Sequence, residues 1–479
     1  MSSPAAAAAA MQFCTAPSDN HAILEREPSL YDPLEELKQQ LLIKKHSYKQ
    51  QYASMYYVRL LKIRQALADT CRSKWMSLPE KPQYISKILD IQPGELCYML
   101  GTIYLEMPAK PNVMNNLEDD NSIINPETPD KYKSDADIVS LEDESGRVEI
   151  SGNCLDRELL VTGMIVGILG KEVATGAFEA IDVCLPGMAD QDPLPEQVDA
   201  QPPKYVALLS GLNIGADDQL DMKSQLLAEF LSGELGSTAD EMSSSSISRV
   251  ILAGNSVAKP TKEVKKTKGP KKYGYDSSTF NASPMLQLDE MLQDICSSID
   301  VDIMPGPTDP SPLHLPQQPM HTSLFKHAHQ LSTFHSVTNP YWCKVDHVTF
   351  LGTSGQNIDD IYRYVDTVDR IKLAEVCMYW RHMAPSAPDT LWSYPFNDRD
   401  PFIIEKTPHV YFVGNQPQFE DSLLNGPNGQ TVRVILVPSF AETGIMVLVN
   451  LNTLECSAVH ISENGIQPVN EDRMETDNE

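Results

Sequence analysis

No two of the nine cysteines stand in a C-x-x-C spacing; they are scattered at Cys14, Cys71, Cys97, Cys154, Cys184, Cys296, Cys343, Cys377 and Cys456. An odd and dispersed set excludes a zinc ribbon and argues against a disulfide framework, so a reducing compartment is expected. No apolar run approaches the roughly 20 residues that cross a bilayer, and no membrane role is expected. Positive charge is scarce: 38 Lys and Arg face 66 Asp and Glu, a formal net charge of −28. Such a chain repels nucleic-acid phosphates on average, so DNA contact is expected to be weak or indirect, through a local basic patch or a partner. The alanine run at the N-terminus lacks the basic flank and leucine-rich core of a signal peptide, and residues 1–30 read as a disordered tail.

What is present fills two or three domains, since 479 residues divide into units of about 150. The stretch from Leu30 to Trp75 reads as helical, with Leu34, Leu37 and Leu41, then Tyr52, Met55, Tyr56, Val58 and Leu61, at spacings of three and four. From Glu95 to Leu185 short β-rich runs alternate with turn residues, and Asp143-Glu144-Ser145-Gly146 reads as a hairpin turn. Several such strands in a short span suggest a small barrel of the oligonucleotide-binding (OB) type. Its polar, acidic segment NNLEDDNSIINPETP lacks aromatics, which favours a structural barrel over one that grips single strands.

The expected organisation is a tail (1–30), a helical segment plus barrel (31–190), a Pro/Asp-rich linker (191–203), an α/β domain (204–465) with a basic insertion (259–282), and an acidic tail (466–479). In the α/β part YVALLS, RVILAG and VDIMPG read as strands. Two amphipathic helices carry Met222, Leu226, Leu227, Phe230 and Leu231, and Leu288, Met291, Leu292, Ile295 and Ile299. Alternating strands and helices make a parallel sheet. The end of the chain adds β-structure, including a hairpin around Asn452-Thr453.

In such sheets the chemistry sits in loops after the strands' carboxyl ends. Here these read SGLNIG (210–215), AGNSV (253–257), PGPTDP (305–310) and VGNQP (413–417). In order, they resemble the motifs S-D-x-H, G-D-x-x-D, G-N-H-[DE] and G-H-x-H of metallophosphoesterases. Those enzymes hold two divalent cations with carboxylates and imidazoles. At the corresponding positions this chain carries Gly211, Asn213, Asn255, Pro307, Thr308, Asn415 and Pro417, and only Asp309 is a carboxylate. Neutral groups offset little of four positive charges, so neither a metal nor another cofactor is expected, and no catalytic residue is assigned. An unrelated α/β domain with Gly-rich loops is the competing reading.

Three longer stretches narrow the choice: LPQQPMH (315–321), VTFLGTSGQNIDDIYRY (348–364) and RHMAPSAPDTLWSYPF (381–396). They resemble signatures of the B-subunit family of replicative DNA polymerases, nearest in wording to its delta branch. The resemblance implies a mixed α+β and α/β chain: a helical segment with an OB-fold barrel, then a calcineurin-like metallophosphoesterase α/β sandwich without activity. It implies an accessory scaffold in the nucleus, acting in replication and repair. Such a protein grips the Cys-rich C-terminal module of the polymerase's catalytic subunit and an elongated third subunit, and reaches the sliding clamp indirectly. Trp342, Trp380 and Trp392 are candidate partner anchors. His382 matches a histidine of the family, here expected to be structural. The rival functions are a metal-dependent phosphodiesterase or nuclease with atypical ligands, and the B subunit of polymerase alpha or epsilon.

Two further features stand out. The run KPTKEVKKTKGPKKYG is the strongest basic segment, and Lys265, Lys266, Lys271 and Lys272 make a candidate nuclear-localisation signal. His314, His321, His327, His329 and His335 crowd one segment, which reads as surface chain rather than a metal site because no Cys or Asp stands at ligand spacing.

Overall fold

The computed structural model describes residues 25–110, 129–155, 158–174, 176–195, 202–216, 222–235, 238–259, 281–462 and 465–468. The acidic barrel segment, most of the basic insertion and the end of the acidic tail lie outside these residues. The last described residues do not follow the tail expected from 466 onward, because 466–468 form part of a strand.

The chain enters through a segment expected to be a tail. The Arg26 guanidinium donates to Ile247 O at 2.8 Å, to Ser244 Oγ at 2.9 Å, and to Ser244 O and Leu231 O. Strand β1 (Tyr31–Asp32) then pairs antiparallel with β12 (Tyr341–Val345). The continuous helix expected over 30–75 is instead a short α1 (Glu35–Leu41), an irregular stretch, and a long α2 (Ala53–Trp75). The break has a tertiary cause. Ile43 N donates to Gln318 Oε1, Ser47 N donates to Tyr394 OH, and Tyr394 OH donates to Lys45 O. Those partners satisfy the backbone outside a helix.

The barrel follows: β2 (Gln83–Tyr84), β3 (Cys97–Glu106), β4 (Ile138–Glu142), β5 (Arg147–Ser151), β6 (Ile165–Glu172) and β7 (Phe178–Cys184). Their order is β2-β3-β4-β5-β7-β6, and β3 pairs with β6 to close the sheet. The β4–β5 turn is the expected one, with Asp143 Oδ1 accepting from Ser145 N and Gly146 N. Helix α2 covers the barrel through Leu60, Ile63, Leu67, Cys71 and Trp75, which pack on Tyr98, Leu100, Ile165 and Leu169. The apolar spacing is only partly matched: Met55 is buried, and Tyr56 and Val58 are half-buried. Tyr52 and Leu61 are exposed, and the buried stripe includes a charged residue, Arg59.

Two sheets form the rest. One has seven strands in the order β11-β10-β9-β8-β17-β18-β19: β8 (Tyr205–Leu209), β9 (Ile247–Ala253), β10 (Asp300–Met304), β11 (Phe334–Ser336), β17 (Ile445–Asn450), β18 (Cys456–Ser462) and β19 (Gly465–Pro468). The β17–β18 hairpin is the one expected. The other has six strands in the order β1-β12-β13-β14-β16-β15, adding β13 (Val348–Thr353), β14 (Val410–Gln416), β15 (Glu420–Asn425) and β16 (Thr431–Pro438). Val206, Leu208, Ile251 and Met304 of the first sheet meet Phe350, Val410, Phe412 and Ile435 of the second in one core. Helices α3 (Met222–Ser232) and α5 (Ser283–Cys296) cover the first sheet's outer face, and α4 (Thr238–Ser245) packs on α3. Helices α6 (Gln356–Tyr364) and α7 (Arg370–Trp380) cover the second, and α8 (Phe440–Thr443) is a single turn between β16 and β17. The result is an α/β/β/α sandwich behind an OB barrel. Met222, expected on the buried face of α3, is exposed because it is the first residue of its helix.

Candidate functional site

The loops after β8, β9, β10 and the end of β14 converge as the parallel order of their strands requires. Gly211 N donates to Gly254 O at 2.9 Å, and Asn213 N to Asn255 O at 3.0 Å, so the first two loops run side by side. Asn213, Asn255 and Asn415 all hold positive φ, at 47°, 53° and 55°. Among non-glycine residues, Asn and Asp enter that region most readily, and Asn keeps the backbone shape while carrying no charge.

The loops also interlock. A Cβ at Gly211 would lie 2.7 Å from Ser439 Oγ and 2.9 Å from Asn415 Oδ1. A Cβ at Gly306 would lie 2.4 Å from Asn255 N. Asn255 Oδ1 accepts from Thr308 N at 3.2 Å and Thr308 Oγ1 at 3.0 Å. Asn415 Nδ2 donates to Ala253 O at 3.1 Å and Ser354 O at 2.9 Å, leaving its buried Oδ1 without a partner. Asn213 Nδ2 reaches Ser439 Oγ at 3.4 Å.

Asp309 is buried and turned inward. Its Oδ1 accepts from Val257 N at 2.9 Å and its Oδ2 from Gly306 N at 2.8 Å. Burial pushes its carboxyl up to about 6 against the pull of these backbone donors. The structure thus gathers Gly211, Asn213, Asn255, Thr308, Asp309 and Asn415 through loop-to-loop bonds, while Pro307 and Pro417 lie exposed at its edge. Among the described residues no three His, Cys, Asp or Glu side chains are grouped to hold a metal ion.

The long signature stretches meet next to this cleft and form a buried polar network. Gln317 Nε2 donates to Gly306 O at 3.1 Å, and its Oε1 accepts from Asn339 Nδ2 and Gln356 Nε2, each at 2.8 Å. Asn339 Nδ2 also donates to Ser354 Oγ at 2.9 Å. Asn357 Nδ2 donates to Met383 O at 2.7 Å, and Asp360 accepts from Thr390 Oγ1 at 2.6 Å and from Ser386 Oγ. The uncommon polar residues of GTSGQNIDD and RHMAPSAPDT are therefore mutual hydrogen-bond partners.

His382 belongs to a second network, between the barrel and the sandwich. Arg59 Nε donates to Asp400 Oδ2 at 2.6 Å, and its other nitrogens donate to Gly163 O at 3.0 Å, Pro385 O at 2.8 Å and Ala387 O at 2.7 Å. His382 Nε2 lies 2.9 Å from the same Asp400 oxygen, and its Nδ1 accepts from Ala384 N. Burial, together with repulsion from Arg59, pulls His382 down to about 4, although Asp400 opposes the shift. Burial alone would raise Asp400, but Arg59 and His382 hold it well below the usual carboxylate range. Sequence patterning missed Arg59, which looks like any solvent-facing arginine on a helix.

The tryptophans separate. Trp342 and Trp380 are buried in the core and present no surface, because each lies on the inner side of its element. Trp392 is 66% exposed. Lys265, Lys266, Lys271 and Lys272 lie outside the described residues.

Comparison with known proteins agrees with this architecture. The family described as the B subunit of DNA polymerase alpha/epsilon matches residues 206–421. That described as DNA polymerase delta subunit OB-fold domain matches residues 51–183. The DNA polymerase delta small subunit of Arabidopsis thaliana is 40% identical over 445 residues, 93% of this chain and 98% of that one. Its namesake from Oryza sativa is 38% identical over 440 residues, covering 92% and 99%. That of Saccharomyces cerevisiae is 36% identical over 465 residues, covering 88% and 91%.

Proposed function

We propose a role that proceeds from one premise: the chain belongs to the family of DNA polymerase delta small subunits. It is an accessory subunit of that polymerase and not its catalytic subunit. Within the assembly it joins the catalytic subunit's C-terminal module to the third subunit, and its contact with DNA and with the sliding clamp runs through those partners. It works in the nucleus, with the lysines of 259–282 as its import signal. The barrel with its helical segment and the α/β sandwich act as one support, because Arg59 and Asp400 bind them together.

The observation that carries the non-catalytic part is the inward-turned Asp309. Two divalent cations need several anionic or imidazole ligands. Here the one carboxylate spends both oxygens on backbone N–H groups, and its neighbours are amides already bonded across the loops. Gly211 cannot take a ligand side chain without displacing Ser439 and Asn415. The residues present do not fit a dinuclear centre, and the frame serves as architecture.

Affinity capture of the tagged chain from cells of its own species tests the role. The catalytic and third subunits of polymerase delta are expected in near-equal amounts. Capture of primase, or of no polymerase subunit, would contradict it.

A further inference from the structure

We propose that Cys71 and Cys184 form a paired redox site: hydrogen peroxide joins them in a disulfide that staples α2 to the barrel, and a dithiol reductant releases it. The site uses neither the cleft loops nor a partner subunit, so it stands apart from the accessory-subunit reading.

The packing of helix on sheet builds the pair. Cys71 lies on the buried face of α2, one turn before its end, and Cys184 is the last residue of β7. Cys184 packs with α2, while its neighbour Val183 belongs to the barrel interior. Across the sheet Cys184 stands opposite Gly167 of β6. Opposed residues of an antiparallel pair send their side chains to one face, with Cα atoms about 4.5–5.5 Å apart. At Gly167 that face is bare, and Cys71 fills the gap: a Cβ there would lie 2.4 Å from Cys71 Sγ and 3.3 Å from the Trp75 ring. The Cys71 sulfur is thereby set beside Cys184, and the two thiols hydrogen-bond to each other. Both are free cysteines in the structure, the resting state expected in a reducing compartment.

The surroundings divide the roles. Lys74 Nζ donates to Val183 O at 2.7 Å and pairs with Asp182 Oδ2 at 2.8 Å, which places an ammonium next to Cys184. The hydrogen bond from Cys71, aided by Lys74, pulls the Cys184 thiol down against burial and Asp182, whereas the same bond and burial push Cys71 up. Cys184 is the attacking thiolate and Cys71 the resolving thiol. The Cys184 sulfur attacks one peroxide oxygen: an S–O bond forms, the O–O bond breaks, and the departing hydroxide takes up the proton that Cys184 released, giving water. The Cys71 sulfur then attacks the sulfenic sulfur, the S–O bond breaks, and the Cys71 proton leaves with that hydroxide as a second water. Two thiols are oxidised and one peroxide is reduced. Access needs only a small opening. Cys184 is 3% exposed, but the Lys74 and Asp182 side chains beside it are 45% and 39% exposed. The link joins segments far apart in the chain, so it restricts the unfolded state and raises resistance to unfolding.

The test uses the full chain, purified under reductant, desalted and treated with hydrogen peroxide. Remaining thiols are alkylated in denaturant, and the peptides are mapped by mass spectrometry without reduction. The expected product is a Cys71–Cys184 cross-link that dithiothreitol removes, in a chain that melts at a higher temperature than its reduced form. In Cys71→Ser the sulfenic acid persists at Cys184 and is captured by dimedone, while Cys184→Ser loses the cross-link and leaves Cys71 unoxidised. Both thiols recovered alkylated from the treated wild type would overturn the pair, as would Cys184 oxidised to sulfinic acid with no link. A dimedone adduct at Cys71 in Cys184→Ser, and none at Cys184 in Cys71→Ser, overturns the division of roles. Equal melting of the linked and reduced chains overturns the staple. The wild-type map and melting curve decide the pairing whether or not either variant folds.

Discussion

At Arg59 a fully buried guanidinium meets one carboxylate and three backbone carbonyls. Removing one member of such a set strands the others, at about 3–5 kcal/mol. Arg59→Met is expected to lose that much in urea unfolding, because buried Asp400 keeps only the neutral His382 and the Phe402 N–H and has no cation beside it. A loss near zero would mean that the pair is not buried. His382 sets a pH dependence. Its folded value near 4 lies below the ordinary 6.5, so between those values the unfolded chain binds more protons and stability falls as pH drops. By pH 5 this amounts to about 2 kcal/mol. Asp309 acts in the opposite sense. Its folded value near 6 lies above its ordinary one, so acidification through that window restores stability. Comparing His382→Gln with the wild type isolates the histidine: the stability difference between the two proteins should change by about 2 kcal/mol from pH 7 to pH 5. A pH-independent difference would refute a neutral, buried His382. The sequence offered His382 as a structural residue and Asp309 as the surviving carboxylate, but not the ion pair, since Arg59 and Asp400 lie far apart in the chain and neither sits in a motif.

Among the elements, strand and helix types were readable from alternation and apolar spacing, and the four cleft loops from their Gly and Asn punctuation. The break after α1 was not. Nothing in IKKHSYKQQ forbids a helix, and only Gln318 and Tyr394, distant in sequence, draw its backbone away. Tyr394→Phe is therefore expected to speed amide exchange at Ser47 by about fivefold, corresponding to one lost hydrogen bond of roughly 1 kcal/mol. Unchanged exchange would place the cause elsewhere. The packing of β13 against β14 gives a second check. A Cβ at Gly352 would fall 1.9 Å from the Phe412 ring, so Gly352→Ala must displace that ring from the core between the sheets. Overpacking of this kind costs about 1–3 kcal/mol, read as a lower unfolding midpoint.

Over the whole molecule, a barrel followed by an α/β part was readable from strand spacing, while the family came from the polar signatures and the sandwich only from the resemblance they carry. Those signatures turned out to be partners in buried networks, which is why their wording is so specific. The apolar spacing of α2 found Met55 but not the rest of the inner face, because Tyr52 and Leu61 turn outward and the ion-paired Arg59 takes a buried position. The central claim is that this phosphoesterase frame holds no working dinuclear centre. Purified chain incubated with Mn²⁺ tests it most directly, by counting bound metal after desalting and following cleavage of a phosphodiester substrate. The account predicts substoichiometric metal and no metal-dependent turnover. Two tightly held ions per chain together with hydrolysis that a chelator abolishes would contradict it.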